Sequence, residues 1–298
     1  MRNRKKEVGK VVAGTVGAIG SLILSQLLAQ LLAELLMKLL VSAFSFPDSR
    51  MAIPVWPLIW LGNGAAGFLY LAFLLGFLKL LAEKGLKCRL ADLGIPRFSI
   101  RKKWLLIGVL LPAGVSAVNL LLPGEFFRSD MGAEELAASL FAGVFYTGIA
   151  AGFAEEMVFR GVILHLLDRT AGRKTAILAP SLLFGAVHMI GTGYDAVSSL
   201  QVCAAGTCVG IMFSLIALER DSVWNSGAVH ALWNIFMLGG ILFIGEKADV
   251  YSLISYVPDI RWFPITGGAF GIEASVTAIA GYLAVGRLAL PAGRRNHC

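Results

Sequence analysis

ELAASLFAGVFYTGIAAGFAEEMVFRG, residues 135–161, combines two features that a soluble protein keeps apart. The run 135–157 is long and apolar enough to cross a bilayer core of about 30 Å, which takes about 20 such residues in a helix. Yet it ends in two carboxylates, Glu155 and Glu156, followed by the guanidinium of Arg160. An ionisable group inside a span costs about 3 kcal/mol or more, so it usually faces a bundle interior and has a partner or a role. Glu156 and Arg160 stand at i and i+4, share a helix face and can pair. Glu155 is turned about 100° away and can address another neighbour. Two adjacent carboxylates disfavour double ionisation, and an Arg relieves part of that repulsion. One carboxylate could thus stay charged to activate water while the other serves as counter-ion. The same string also reads as no more than the charged cytoplasmic end of a span.

The rest of the chain agrees with a membrane setting. Of its 298 residues, 57% are hydrophobic and only 15% charged, against roughly 25% charged in an ordinary soluble domain. The mean hydropathy is +0.76. Such a chain would overfill a soluble core, and it is no disordered segment, coiled coil or disulfide scaffold. Eight candidate spans follow: about 11–42, 57–82, 104–123, 135–157, 175–194, 197–218, 223–245 and 265–288. The first follows a basic start that resembles a signal peptide, but its apolar run far exceeds a signal's 7–15-residue core, so it reads as a retained anchor. No connection between spans exceeds about 20 residues and no fixed-period repeat is present. The expectation is one all-α membrane bundle over 1–298, with a motif-bearing core at about 135–245.

Charge placement sets the orientation. Five basic residues lie in 1–10, seven in 84–103, four in 160–174, one at Arg220 and three in 287–298, while the alternate connections hold Arg50, Arg128, Lys247 and Arg261. By the positive-inside rule both termini are cytoplasmic. The net charge of +7 is then a topology signal and not a nucleic-acid footprint. Segment 84–103 reads equally as an amphipathic stretch on the anionic leaflet or as a solvated loop. Cys88, Cys203, Cys208 and Cys298 show no metal or redox spacing. The absence of a cleavable signal or a retention signal fits a prokaryotic plasma membrane better than the endoplasmic reticulum.

Other polar residues also lie in the apolar runs. His188, in SLLFGAVHM, has Phe184 one turn before it on the same face; His230 and Asn234, in HALWN, are again i and i+4. Each alone reads as interhelical hydrogen bonding. Together, a carboxylate, two imidazoles and an amide on three helices are the parts of a hydrolytic site: a base for water, and donors for an oxyanion. His165 and His297 lie at a boundary and in the tail, and Glu273 faces an unassigned partner.

Three known intramembrane solutions are missing. No HExxH occurs; GTGYD at 191–195 has one residue too many for an aspartyl GxGD element; and Trp224 holds the first Gly position of a rhomboid GxSG. Instead, AEEMVFRG resembles the EExxxR motif of the CAAX-protease and bacteriocin-processing (abortive-infection) family, FGAVH resembles its FxxxH and HALWN its HxxxN. The eight-span layout is similar to that of its type II CAAX prenyl endopeptidases. The resemblance implies an intramembrane endopeptidase whose cavity opens to the cytoplasmic side. It implies that Glu155 and His188 activate water, that His230 and Asn234 stabilise the oxyanion, and that Glu156, Arg160 and Phe184 support the site. The substrate would be a membrane-associated peptide or protein: a lipidated tail, a leader peptide or a membrane segment. The pattern leaves metal dependence open: the site reads as metal-independent, yet one carboxylate and two imidazoles could bind a divalent ion such as zinc with an open position. A non-catalytic immunity or scaffold protein of the same fold, or a proton-coupled transporter, would use similar residues.

Overall fold

Lipid offers no partner to backbone N–H and C=O groups, so apolar runs of this kind fold as helices that satisfy their own backbones. A computed structural model describes residues 2–44, 55–190 and 193–290. Eight major helices occupy them. α1 is Arg2–Phe44 and α2 is Val55–Leu80, extended by a π-helical turn Leu81–Leu86. α3 is Lys102–Leu120, α4 Ala133–Ala171, α5 Arg173–Val187 and α6 Ala196–Leu218. α7 is Val223–Leu238 and α8 Val276–Ala289. The all-α membrane class holds.

Five helices (α1, α2, α3, α4 and α6) are long and apolar enough to cross a membrane. The other three, at 15, 16 and 14 residues, fall short of a full span at 1.5 Å per residue. α1, with 43 residues, extends about 64 Å and must tilt or leave the bilayer. α7 occupies the middle of the bundle: twelve of its sixteen residues are buried, and it packs against α3, α4 and α6.

The structure corrects several expectations. The run 265–288 is not one helix, because Gly267, Gly268 and Gly271 take φ of 73°, 63° and 89°, a region open to glycine and inaccessible to a continuing helix. α8 therefore starts at its Ser275 cap, whose side chain accepts from the Ala278 N–H. α7 ends at Leu238, so the connection 239–275 is much longer than expected. It contains β2 (Leu242–Ile244) and β3 (Ile254–Pro258), and β1 (Gly124–Arg128) lies in the α3–α4 connection. These form a three-stranded sheet in the order β1-β3-β2, with β1 antiparallel and β2 parallel to β3. The aromatic and β-branched residues of GEFFR and ISYVP suit strands, but a window tuned to membrane helices passes over such short segments.

Segment 84–103 is packed against the bundle at residues 93–95 and exposed over much of the rest. Leu93 and Ile95 are buried in the core, and Asp92 anchors the short turn Leu90–Leu93 through Arg89. The segment docks on the start of α7: the Val223 N–H donates to the Gly94 carbonyl (2.9 Å), Trp224 Nε1 to the Pro96 carbonyl (2.8 Å) and the Arg101 N–H to Asn225 Oδ1 (3.0 Å). His297 and Cys298 lie outside the described residues, as do Gly191 and Thr192 of GTGYD.

Candidate active site

α4 carries the first motif on an unusual backbone. An ordinary α-turn, Gly152–Glu156, is held between π-helical stretches Ala142–Ala151 and Met157–Ile163. Such wide turns are rare in helices and occur frequently at functional sites. At Gly152, a Cβ would lie 2.8 Å from the backbone of Ala231, so only glycine lets α4 and α7 approach this closely. That contact brings the Glu155–Glu156 turn against the α7 turn bearing His230.

Glu156 and Arg160 pair as their spacing predicts, with Nη1 donating to Oε1 at 2.8 Å and both side chains fully buried. Arg160 therefore belongs to the core and not to the cytoplasmic set of basic residues. Its guanidinium lies over the rings of Phe184 (4.4 Å), Phe213 (5.2 Å) and Phe159 (5.7 Å). His165 supports the same helix from below, its Nδ1 lying 2.8 Å from the Gly161 carbonyl.

Glu156 Oε1 also receives His230 Nδ1 at 3.2 Å. A carboxylate only accepts, so this contact places a hydrogen on Nδ1 and turns Nε2 toward Glu155, whose Oε2 is 3.8 Å away. The imidazole stacks on Phe213, with centroids 4.6 Å apart and planes 19° apart, and meets Phe184 edge-on at 5.9 Å. His188, at the C-terminal end of α5, lies 2.7 Å through Nδ1 from the Phe184 carbonyl. A carbonyl too only accepts, so His188 Nε2 is the lone-pair nitrogen. Phe184 thus fixes both imidazoles, one through its carbonyl and one through its ring. Asn234 Nδ2 donates to the Thr147 carbonyl at 3.0 Å, tying α7 to the first π-helical stretch and leaving a second amide hydrogen.

Glu155, Phe184, His188, His230 and Asn234 all line one cavity of about 290 Å³. Glu155 keeps 25% of its side chain exposed, whereas Glu156 is sealed. The structure thus separates the two adjacent carboxylates by environment. Residues 137–236, which hold all three motifs, match the family model "Type II CAAX prenyl endopeptidase Rce1-like". Over that stretch the chain is similar to Rce1-like proteins. That match supports, at family level, a CAAX-type intramembrane protease, and the apolar helices support an integral membrane protein. No curated protein and no solved structure matches the chain.

The cavity is lined from α4, α5, α6, α7 and α8 and reaches Leu238 and Phe270. On the side of the basic connections the docked 84–103 segment covers the start of α7. Among the described residues no three His, Cys, Asp or Glu side chains converge to hold a metal ion. His230 Nδ1 is engaged by Glu156 and His188 Nδ1 by a carbonyl, which leaves Nε2 as the free ring nitrogen of each.

Phe213 and Trp233 line the cavity too, although neither is a defining residue of the three motifs. Trp233 Nε1 donates to Glu273 Oε2 at 2.9 Å, which supplies the partner that the sequence left unassigned. The only sequence signal for that pair is that Trp233 falls between His230 and Asn234 on α7.

Proposed function

We propose that this protein is a glutamate-type intramembrane endopeptidase in which Glu155 and His188 activate the attacking water. The observation that carries this reading is the division between the two carboxylates: Glu155 opens into the cavity, while Glu156 is committed to Arg160 and His230. The water oxygen bonds to the scissile carbonyl carbon as one of its protons passes to the Glu155 carboxylate. His188 Nε2, available because Nδ1 is engaged, orients the second hydrogen. The second amide hydrogen of Asn234 faces the developing oxyanion, and the His230 ring, held through Nδ1 by Glu156, stands beside it on the same side of α7. The proton held by Glu155 then moves to the leaving nitrogen as the C–N bond breaks, and the carboxylate is restored.

The remaining motif residues are positioning groups. Arg160 fixes Glu156, Glu156 fixes the His230 ring, and Phe184 fixes both imidazoles. The substrate proposed is a membrane-associated peptide: a lipidated tail such as the prenylated CAAX sequence in the family's name, a leader peptide or a membrane segment.

The test works without first identifying the substrate. New peptide termini are compared in membranes of cells expressing wild type and Glu155→Ala at matched levels. Termini that vanish in the variant are the expected result, and His188→Ala should remove the same set. Identical termini in all three samples would overturn the proposal.

A further inference from the structure

A third carboxylate stands in the same cavity, outside the stretch 137–236. Glu273 belongs to the turn Ile272–Ala274, between the left-handed Gly271 and the Ser275 cap of α8. Its backbone is fixed by Tyr282, whose hydroxyl donates to the Glu273 carbonyl at 3.0 Å. Its side chain is fixed by Trp233, which engages Oε2. Trp233 lies on the α7 turn that carries His230 and Asn234, so the carboxylate is registered to the proposed oxyanion side of the site. Glu273 is part-exposed and lines the cavity. Trp233 is the one side chain that donates to its carboxylate among the described residues.

The cavity is lined by two carboxylates, Glu155 and Glu273, and two imidazoles, His188 and His230, but by no Lys or Arg. Arg160, behind the wall, is spent on Glu156 and covered by the rings of Phe184 and Phe213, which are themselves the lining. Much of the remaining surface is apolar: Val202, Ala205, Val209, Leu238 and Phe270. A carboxylate in such surroundings is costly unless a donor or cation meets it, and a cation that arrives there is held in a poorly screened site.

We propose that Glu273 is a specificity-determining residue that receives a cationic side chain, Lys or Arg, of the substrate near the scissile bond. The proposal rests on the peptidase reading for the substrate being a peptide. It predicts selection of peptides with a basic residue there and discrimination against those that bring a free carboxylate to the same place.

The experiment uses the full chain in detergent micelles and two probes: a short Leu/Ala-rich peptide amide with one central Lys, and its norleucine twin. Binding is measured by anisotropy and cleavage by mass spectrometry, for wild type and Glu273→Gln. Glutamine keeps an oxygen for Trp233 and removes only the charge; Glu273→Asn is used if the Gln protein does not keep its wild-type melting temperature. Comparing the Lys-to-norleucine ratio between proteins cancels differences in micelle partition. The expected result is a ratio about tenfold or more higher in wild type than in the variant, as for a charge pair in a partly desolvated site. The same ratio in both proteins, or no binding of either peptide to wild type, overturns the proposal. A charge-dependent ratio without any cleavage would keep Glu273 as the recognition residue and sink the peptidase reading instead.

Discussion

Arg160→Ala removes one half of an ion pair that has no access to water from either side. Both side chains are fully buried and 2.8 Å apart, and after the substitution Glu156 keeps only His230 Nδ1, at 3.2 Å. Stranding a buried charge in this way costs about 3–5 kcal/mol. The guanidinium also fills the space between Phe184 and Phe213, contacts worth about 2 kcal/mol when desolvated; the two terms share the same atoms and do not add. The native pair is itself imperfect: Glu156 Oε2 and Arg160 Nε and Nη2 have no partner among the described residues. Replacing both members, as Glu156→Gln with Arg160→Met, should therefore recover most of the loss, to within about 1–2 kcal/mol of wild type. Activity should not return with stability, because the chain Arg160–Glu156–His230 that orients the imidazole is broken in both proteins. The assay is equilibrium unfolding in detergent beside a cleavage measurement. A single variant that loses under about 1 kcal/mol, or a double variant as unstable as the single, would refute the reasoning that the cost is an unpaired buried charge.

Two further substitutions separate turnover from folding and site from scaffold. Asn234→Ala should lower kcat by about 10²–10³-fold, the usual loss for one oxyanion donor, and stability by about 1 kcal/mol through the lost bond to Thr147; a change in KM alone would count against it. Asp195, the N-cap of α6, accepts from the Ser198 hydroxyl and from the N–H groups of Ser198 and Val197. These bonds, the Ser198 hydroxyl first, hold its carboxyl below the ordinary value of 3.8. A depressed folded value means that this stabilisation is present above 3.8 and is lost as pH falls through the lower folded value. The melting temperature of wild type should therefore drop more steeply than that of Asp195→Asn below about pH 4, and parallel curves would contradict the assignment.

How far the site is legible in the sequence depends on spacing within single helices. Glu156 with Arg160, and His230 with Asn234, are i and i+4, so one helical turn sets their relation before any tertiary contact exists. Phe184 with His188 follows the same rule, and the observed carbonyl bond runs across that turn. Glu273 is visible as a charge in an apolar run and nothing more, because its partner Trp233 is forty residues away in sequence and meets it only when the 268–275 turns fold against α7. The sheet is hidden for a similar reason. Each strand is five residues or fewer, and the β1 and β3 segments find each other across more than a hundred residues.

The amino-acid sequence by itself determined the membrane class, the helix order and the identity of the motif residues. Those depend on hydropathy over a window and on periodicity, both local properties of the chain. Which adjacent carboxylate faces the cavity, which nitrogen of each imidazole is engaged, and which residues outside the motifs line it were decided by tertiary structure alone. Each depends on how closely α4, α5, α6 and α7 approach. That distance is set by contacts such as Gly152 against Ala231, between residues remote in the chain.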